Sequence, residues 1–208
     1  KESESGMNIT VSRGNSKMGD IPSVSLPSGV TCRHDCECCV KCYARKLERF
    51  RPSVRESYIR NLQILNCTPE VYWREVEATV MTNRFFRFHV SGDIPDIGYF
   101  RKMIEIAVRN PHCEILCFTK KYEIVNEGIG ERLTKSLPKN LHIIMSAWRG
   151  LEMNNPYHLP EAHVLYKDGT TTAKEGAKPC GGNCTNCFIT EGGCWSLKDG
   201  EQVLIREH

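Results

Sequence analysis

This chain of 208 residues lacks a charge bias, long apolar runs and internal repeats. Lysine and arginine number 28 against 25 acidic residues, a net charge of +3. So mild a balance says little by itself about nucleic acid. No apolar run approaches the ~20 residues needed to cross a bilayer, and no stretch resembles a signal peptide. The expectation is a cytoplasmic protein without a membrane span. No unit recurs at a fixed period, which excludes solenoid architectures. With 40% hydrophobic and 25% charged residues, the composition is that of one globular domain.

Cysteine, in contrast, is abundant, at 12 residues. In a protein expected to stay in a reducing compartment, so many thiols point to metal-bound thiolates instead of disulfides. Five of them, Cys32, Cys36, Cys38, Cys39 and Cys42, fall within eleven residues, too dense for a core. Three ligand registers are open: C-x3-C-x2-C (Cys32, Cys36, Cys39), C-x6-C-x2-C (Cys32, Cys39, Cys42) and C-x5-C-x3-C (Cys32, Cys38, Cys42). A structural zinc wants four closed ligands, usually as two separated pairs. Five thiols in one loop suit an iron–sulfur cluster better. A second group, Cys180, Cys184, Cys187 and Cys194, forms a complete set of four with glycine and asparagine between the thiols. It fits a closed zinc site or a second cluster.

Strand and helix patterns alternate through the middle of the chain. Strands are expected from Phe85 to a stop at Gly92, and at Cys113–Thr119, Leu141–Ala147 and Ala162–Tyr166. Helices are expected after Pro52 (Val54, Tyr58, Leu62 and Leu65 on one face), from Pro69 capped by Thr68 (Tyr72, Val76, Val80), from Asp96 to Asn110, and over Lys121–Leu137. The proline-flanked segment Ile21–Pro27 reads as an edge strand. Alternation with runs that look buried on both faces predicts an α/β fold with mostly parallel strands. The chain is short for a complete eightfold barrel of ~250 residues, so a partial or open (β/α) barrel is expected. Its domain occupies 15–168, after a tag-like, disordered N-terminus at 1–14 and before a Cys-rich appendage at 169–208. Functional groups should collect at the carboxyl ends of the strands, namely the cysteine loop, Ser91-Gly92-Asp93, Thr119-Lys120 and Ser146 to Arg149.

Other residues have plainer readings. His89 reads as a satisfied core or lumen histidine, and Cys67, Cys113 and Cys117 as buried small hydrophobes. Lys41, Arg45, Lys46, Arg49, Arg51, Arg55 and Arg60 form a basic stretch interrupted by Glu48 and Glu56, the pattern of a solvated helix face.

The loop ending in Cys42-Tyr43-Ala44, with Arg49-Phe50-Arg51-Pro52-Ser53-Val54, Arg60-Asn61-Leu62 and Phe88-His89-Val90-Ser91-Gly92-Asp93, resembles a small phage- and bacterial-associated family. That family is similar to radical S-adenosylmethionine (SAM) enzymes with atypical cysteine spacing. The resemblance implies a [4Fe–4S] cluster on three loop cysteines, with SAM on its fourth iron. The small family's spacing would assign Cys32, Cys38 and Cys42; the larger superfamily's would assign Cys32, Cys36 and Cys39. Ser91, Gly92 and Asp93 would contact the methionine amino group, and Lys120, Ser146 and Arg149, at neighbouring strand ends, SAM or substrate. The implied partners are an electron donor such as flavodoxin or ferredoxin and a nucleic acid or peptide substrate. The alternative reading is a non-catalytic zinc or iron–sulfur module that recognises nucleic acid through the basic helix after the loop.

Overall fold

The structure, a computed structural model, describes residues 8–190 and 192–207. It is an α/β fold built on one open sheet of eight strands: β1 (Val11–Ser12), β2 (Ser23–Val24), β3 (Phe85–Phe88), β4 (Glu114–Thr119), β5 (Leu141–Ser146), β6 (Glu161–Leu165), β7 (Lys178–Pro179) and β8 (Gln202–Arg206). Their spatial order is β1-β2-β3-β4-β5-β6-β8-β7, and every pairing except β1 with β2 is parallel. The helices are α1 (Tyr43–Phe50), α2 (Pro52–Cys67), α3 (Pro69–Met81), α4 (Ile97–Arg109), α5 (Tyr122–Gly130) and α6 (Cys184–Ile189). Among the described residues no helix is long and apolar enough to cross a membrane.

Because β2 to β6 add to the sheet in chain order, right-handed crossovers put their helices on the same face. Strand periodicity divides the residues accordingly. Phe86, Phe88, Ile115, Cys117, Ile143 and Met145 point to the helical face, where they bury Tyr72, Val76 and Val80 of α3 and Phe100 and Met103 of α4. The alternate residues Phe85, Leu116, Ile144, Ala162 and Val203 point to the other face, where they meet Met18, Ile21, Trp195 and Leu197. No helix of the α2–α5 series covers that face, and the candidate site lies there.

Several expectations need correction. Residues 8–14 do not stand outside the fold: Ile9 is buried, its N–H donates to Glu75 Oε2 at 2.8 Å, and β1 pairs with β2. Residues 1–7 of the proposed tag lie outside the described residues. β2 is therefore not an edge strand; β1 covers it. The segment from 169 on was expected as an appendage, yet it supplies β7 and β8, and β8 pairs with all five residues of β6. α5 stops at Gly130 and not near Leu137. On α2 the inward positions are Asn61 and Ile64, with Val54, Tyr58, Leu62 and Leu65 only half-buried. Asn61 is held inside by pairing, its amide donating to Thr10 O and Ser25 O at 3.0 Å each. Thr68 does occupy the N-cap of α3, but its hydroxyl turns back to Ile64 O and caps nothing. Cys113 and Cys117 are buried as expected, whereas Cys67 at the end of α2 is exposed.

Candidate functional site

The carboxyl ends of β3, β4 and β5 open into a cavity of about 280 Å³ that continues over the face free of the α2–α5 helices. This is close to the lower bound of ligand pockets, ~300–1,000 Å³. β3 ends where His89 turns the backbone to φ +60°, which redirects the chain into Ser91-Gly92-Asp93. His89 itself is core: Nε2 meets the Tyr99 hydroxyl at 3.1 Å, and Tyr99 meets Tyr72 at 2.7 Å. Burial, aided by the charge of Arg87, pushes His89 down to about 3. It stays neutral in the fold while an unfolded histidine protonates near pH 6.5, so the unfolded state binds more protons through this window and stability falls with acid. We expect about 2 kcal/mol to be lost between pH 7 and pH 5, read from urea midpoints. His89→Gln should flatten that dependence.

The polar loop is braced by protein groups. Asp93 Oδ1 accepts from Thr119 Oγ1 at 2.5 Å and from its neighbour Ile94 N at 2.8 Å, and Oδ2 accepts from Lys120 N at 2.9 Å. Burial pushes this carboxyl up, opposed by those hydrogen bonds. With both oxygens engaged, Asp93 ties the end of β3 to the end of β4. Ser91 Oγ donates to Glu48 Oε1 at 2.7 Å, and the same oxygen accepts from Ser28 N at 3.0 Å. In the sequence Glu48 interrupts the basic run expected to face solvent, but in the fold it is not on that face. It is 7% exposed, and it locks α1 to the strand end. Lys120 extends into the cavity, its Nζ 3.2 Å from Ser146 Oγ and 5.7 Å from the Trp148 ring centroid. Arg149 is not on the cavity wall; its guanidinium pairs with Asp168 at 2.8 Å and stacks on Tyr166.

The cysteine loop closes one side. A single 3-10 turn, Glu37–Cys39, is followed by Cys42 at the N-cap of α1, its sulfur accepting from Arg45 N. Arg33 anchors the loop to the start of α5 through Glu123 at 3.0 Å and stacks over Tyr122. Cys32, Cys38 and Cys42 line the cavity. Cys36 and Cys39 do not: Cys36 is buried within the loop, and Cys39 donates to Arg33 O at 3.0 Å. Of the three registers, only C-x5-C-x3-C has every member on the cavity. Opposite stand Cys180, Cys184, Cys187 and Cys194, which line the same cavity. Lys41 Nζ joins the two sides by pairing with Glu207 at 2.9 Å, just after β8. All twelve cysteines are free thiols, and among the described residues no group of three or more His, Cys, Asp or Glu is placed to hold a metal ion.

Among the described residues, three buried side-chain groups in the cavity wall have no hydrogen-bond partner: Arg87 Nε, Trp148 Nε1 and the Ser28 hydroxyl. Arg87 and Ser28 were not singled out from the sequence, and Trp148 only as part of the strand end Ser146 to Arg149. Arg87 was one more polar position in a strand, and only the alternation of β3, which puts it on the cavity face beside Phe85, could have marked it. The guanidinium stacks on Phe118 at 5.1 Å and, among the described residues, its one hydrogen-bond contact is the Met18 sulfur, at 3.7 Å. Orphaned donors beside soft thiols and a lysine make a wall suited to an anionic or strongly polar ligand and a thiolate-bound metal group.

The family model described as gene product 88 matches residues 5–182, so that Cys184, Cys187 and Cys194 lie beyond the matched stretch. No curated protein and no solved structure matches the chain.

Proposed function

The chain belongs to the gene product 88 family, and for this member we propose a radical-SAM-type iron–sulfur enzyme of the reducing cytoplasm, its singly wound sheet being part of a (β/α) barrel. The observation that carries this reading is the sharing of one cavity by Cys32, Cys38 and Cys42 with Ser91, Lys120 and Ser146. The donor set fits the group, since three thiolates on one wall leave a fourth iron of a [4Fe–4S] cluster for a small-molecule ligand. When bound, that group supplies one electron to the sulfonium of SAM, splitting a C–S bond into methionine and a 5′-deoxyadenosyl radical.

The chain's own residues bind, orient and shield. Ser91 and Gly92 present backbone at the end of β3, held in place by Asp93 and Glu48. Lys120 and Arg87 carry positive charge into the cavity for a carboxylate or another anionic group. Trp148 offers a ring face and an unspent N–H. The electron comes from a donor such as flavodoxin or ferredoxin. The test is anaerobic incubation of reconstituted protein with SAM and dithionite, reading 5′-deoxyadenosine. The reading expects product above a no-protein control; protein with a full iron complement and no product would sink it.

One observation favours a second reading, a metal-stabilised nucleic-acid-binding module. On α1, Phe50 is 79% exposed among the exposed cations Lys46, Arg49, Arg51 and Arg55, the pairing of ring faces and charge that single strands use. Under this reading, Lys46, Arg49 and Arg55 changed together to Glu should weaken oligonucleotide binding at least about tenfold at low salt and lower its salt slope. Unchanged binding in a titration at two salt concentrations would remove the reading.

A further inference from the structure

We infer that Arg87 heads a second subsite of the cavity, one that holds the carboxylate or phosphate of a small acid with an apolar body. The subsite stands on its own geometry. That its occupant is the substrate, and not SAM, rests on the reading above.

The guanidinium carries the inference. Three other arginines of this fold present one edge, Nε with Nη2, to a carboxylate. Arg33 gives that edge to Asp35 at 2.8 and 2.6 Å, Arg109 gives it to Glu77 at 2.7 and 2.9 Å, and Arg101 grips Glu131 in the same way. Arg87 has no such partner. Among the described residues its Nη1 meets the Met18 sulfur, and neither Nε nor Nη2 donates to an oxygen. The carboxylates described on the cavity wall are committed elsewhere. Asp93 accepts from Thr119, Ile94 and Lys120, and Glu207 accepts from Lys41 and Lys167.

The surroundings define the rest of the ligand. Met18, Ile21, Leu116, Phe118 and Trp195 line the cavity with Arg87 and belong to the apolar cluster on this face. A cation set among apolar side chains is poorly hydrated, so it attracts an oxyanion more strongly than a surface arginine does. The same side chains favour an apolar body behind the anionic head. Position separates this cation from Lys120. Arg87 stands opposite Leu116 in the β3–β4 register, and Lys120 follows Leu116 by four residues, about 13 Å along a parallel strand. Lys120 therefore serves the strand ends, with Ser146 and Trp148, while Arg87 serves the sheet face. Two cations at two depths suit two anionic groups, the carboxylate of SAM at the first and the acid at the second.

The test titrates phenyl phosphate, benzoate and neutral benzyl alcohol into full-length, reconstituted protein by calorimetry, with and without saturating SAM. Wild type should bind at least one acid with a Kd below about 1 mM, and about tenfold or more tighter than the alcohol. The tighter acid names the head group. Arg87→Met should weaken acid binding at least about tenfold and leave the alcohol within about twofold, while Lys120→Met should cost the acid less than about threefold. Arg87→Lys, which keeps the charge without the fork, should fall between wild type and Arg87→Met. Folding is read on the same samples: the acid should raise the urea midpoint of wild type and not that of Arg87→Met. Acids that bind no better than the alcohol, or that bind Arg87→Met as they bind wild type, overturn the inference. So does competition by SAM, which makes Arg87 part of the SAM site, or displacement of the acid by an oligonucleotide, which makes the cavity a nucleic-acid site. Protein that binds the acid through Arg87 but cleaves no SAM sustains the subsite and defeats only the enzymatic reading. Cleavage of SAM without acid binding does the reverse.

Discussion

Changing Cys32, Cys38 and Cys42 together to serine should abolish reductive cleavage of SAM, while Cys36→Ser and Cys39→Ser should each leave it running. The distinction follows from where the loop puts its sulfurs. Cys39 spends its S–H on Arg33 O, and Cys36 is buried with its thiol against that of Cys38; neither lines the cavity. A serine at either site keeps a donor and nearly the same volume, and the expected cost in stability is about 1 kcal/mol. The triple variant instead removes every loop sulfur that faces the cavity. Measured side by side, the single variants should keep the iron of wild type and the triple variant should lose about four irons per chain. If Cys36→Ser or Cys39→Ser lost iron and product as completely as Cys38→Ser, the register would be C-x3-C-x2-C and the cavity assignment would fail. Each cysteine therefore reports on its own position.

Much of the helical face was legible in the sequence because its signals are local and periodic. Tyr72, Val76 and Val80 recur every four residues, and all three are fully buried. The helix expected from about Asp96 is α4, and Asp96 caps it by accepting from Tyr99 N at 2.8 Å. The strand ends that line the cavity were expected from the rule that parallel sheets bind at their carboxyl edge. What escaped was decided by distance in sequence. β8 is five residues long and adds to the sheet only because β6 offers it an edge, a fact no local pattern holds. The placing of Cys180 on the cavity depends on that strand, since its N–H donates to Leu204 O of β8. Glu48 looked solvated among arginines, and only the partners Ser28 and Ser91, 20 and 43 residues away, explain its burial. Arg149 failed in the opposite sense: it stands beside the right strand end but pairs outward with Asp168.

The turn that carries Ser91 and Asp93 rests on Gly92, and Gly92→Ala is expected to be among the most damaging single changes in the chain. At φ +80° an L-residue is strained, at a cost of about 1–2 kcal/mol. A Cβ there would also lie 2.9 Å from each of Leu26 Cβ, Leu26 O and Thr31 Oγ1. The Leu26 backbone cannot retreat freely, because Leu26 N donates to Ser91 O at 3.1 Å. Nor can Thr31, whose hydroxyl accepts from Asp93 N at 3.0 Å. Overpacking of this kind adds about 1–3 kcal/mol, giving a total of about 2–5 kcal/mol against a typical stability of ~5–15 kcal/mol. Urea unfolding should show the midpoint falling with an unchanged m-value. The same displacement pushes on Thr31, the residue before Cys32, so the variant should also bind iron at the first loop more weakly than wild type under conditions where both are folded. A midpoint within about 0.5 kcal/mol of wild type would mean that the strand-end loop is not packed against residues 26–31, and the geometry holding Ser91 beside Cys32 would go with it.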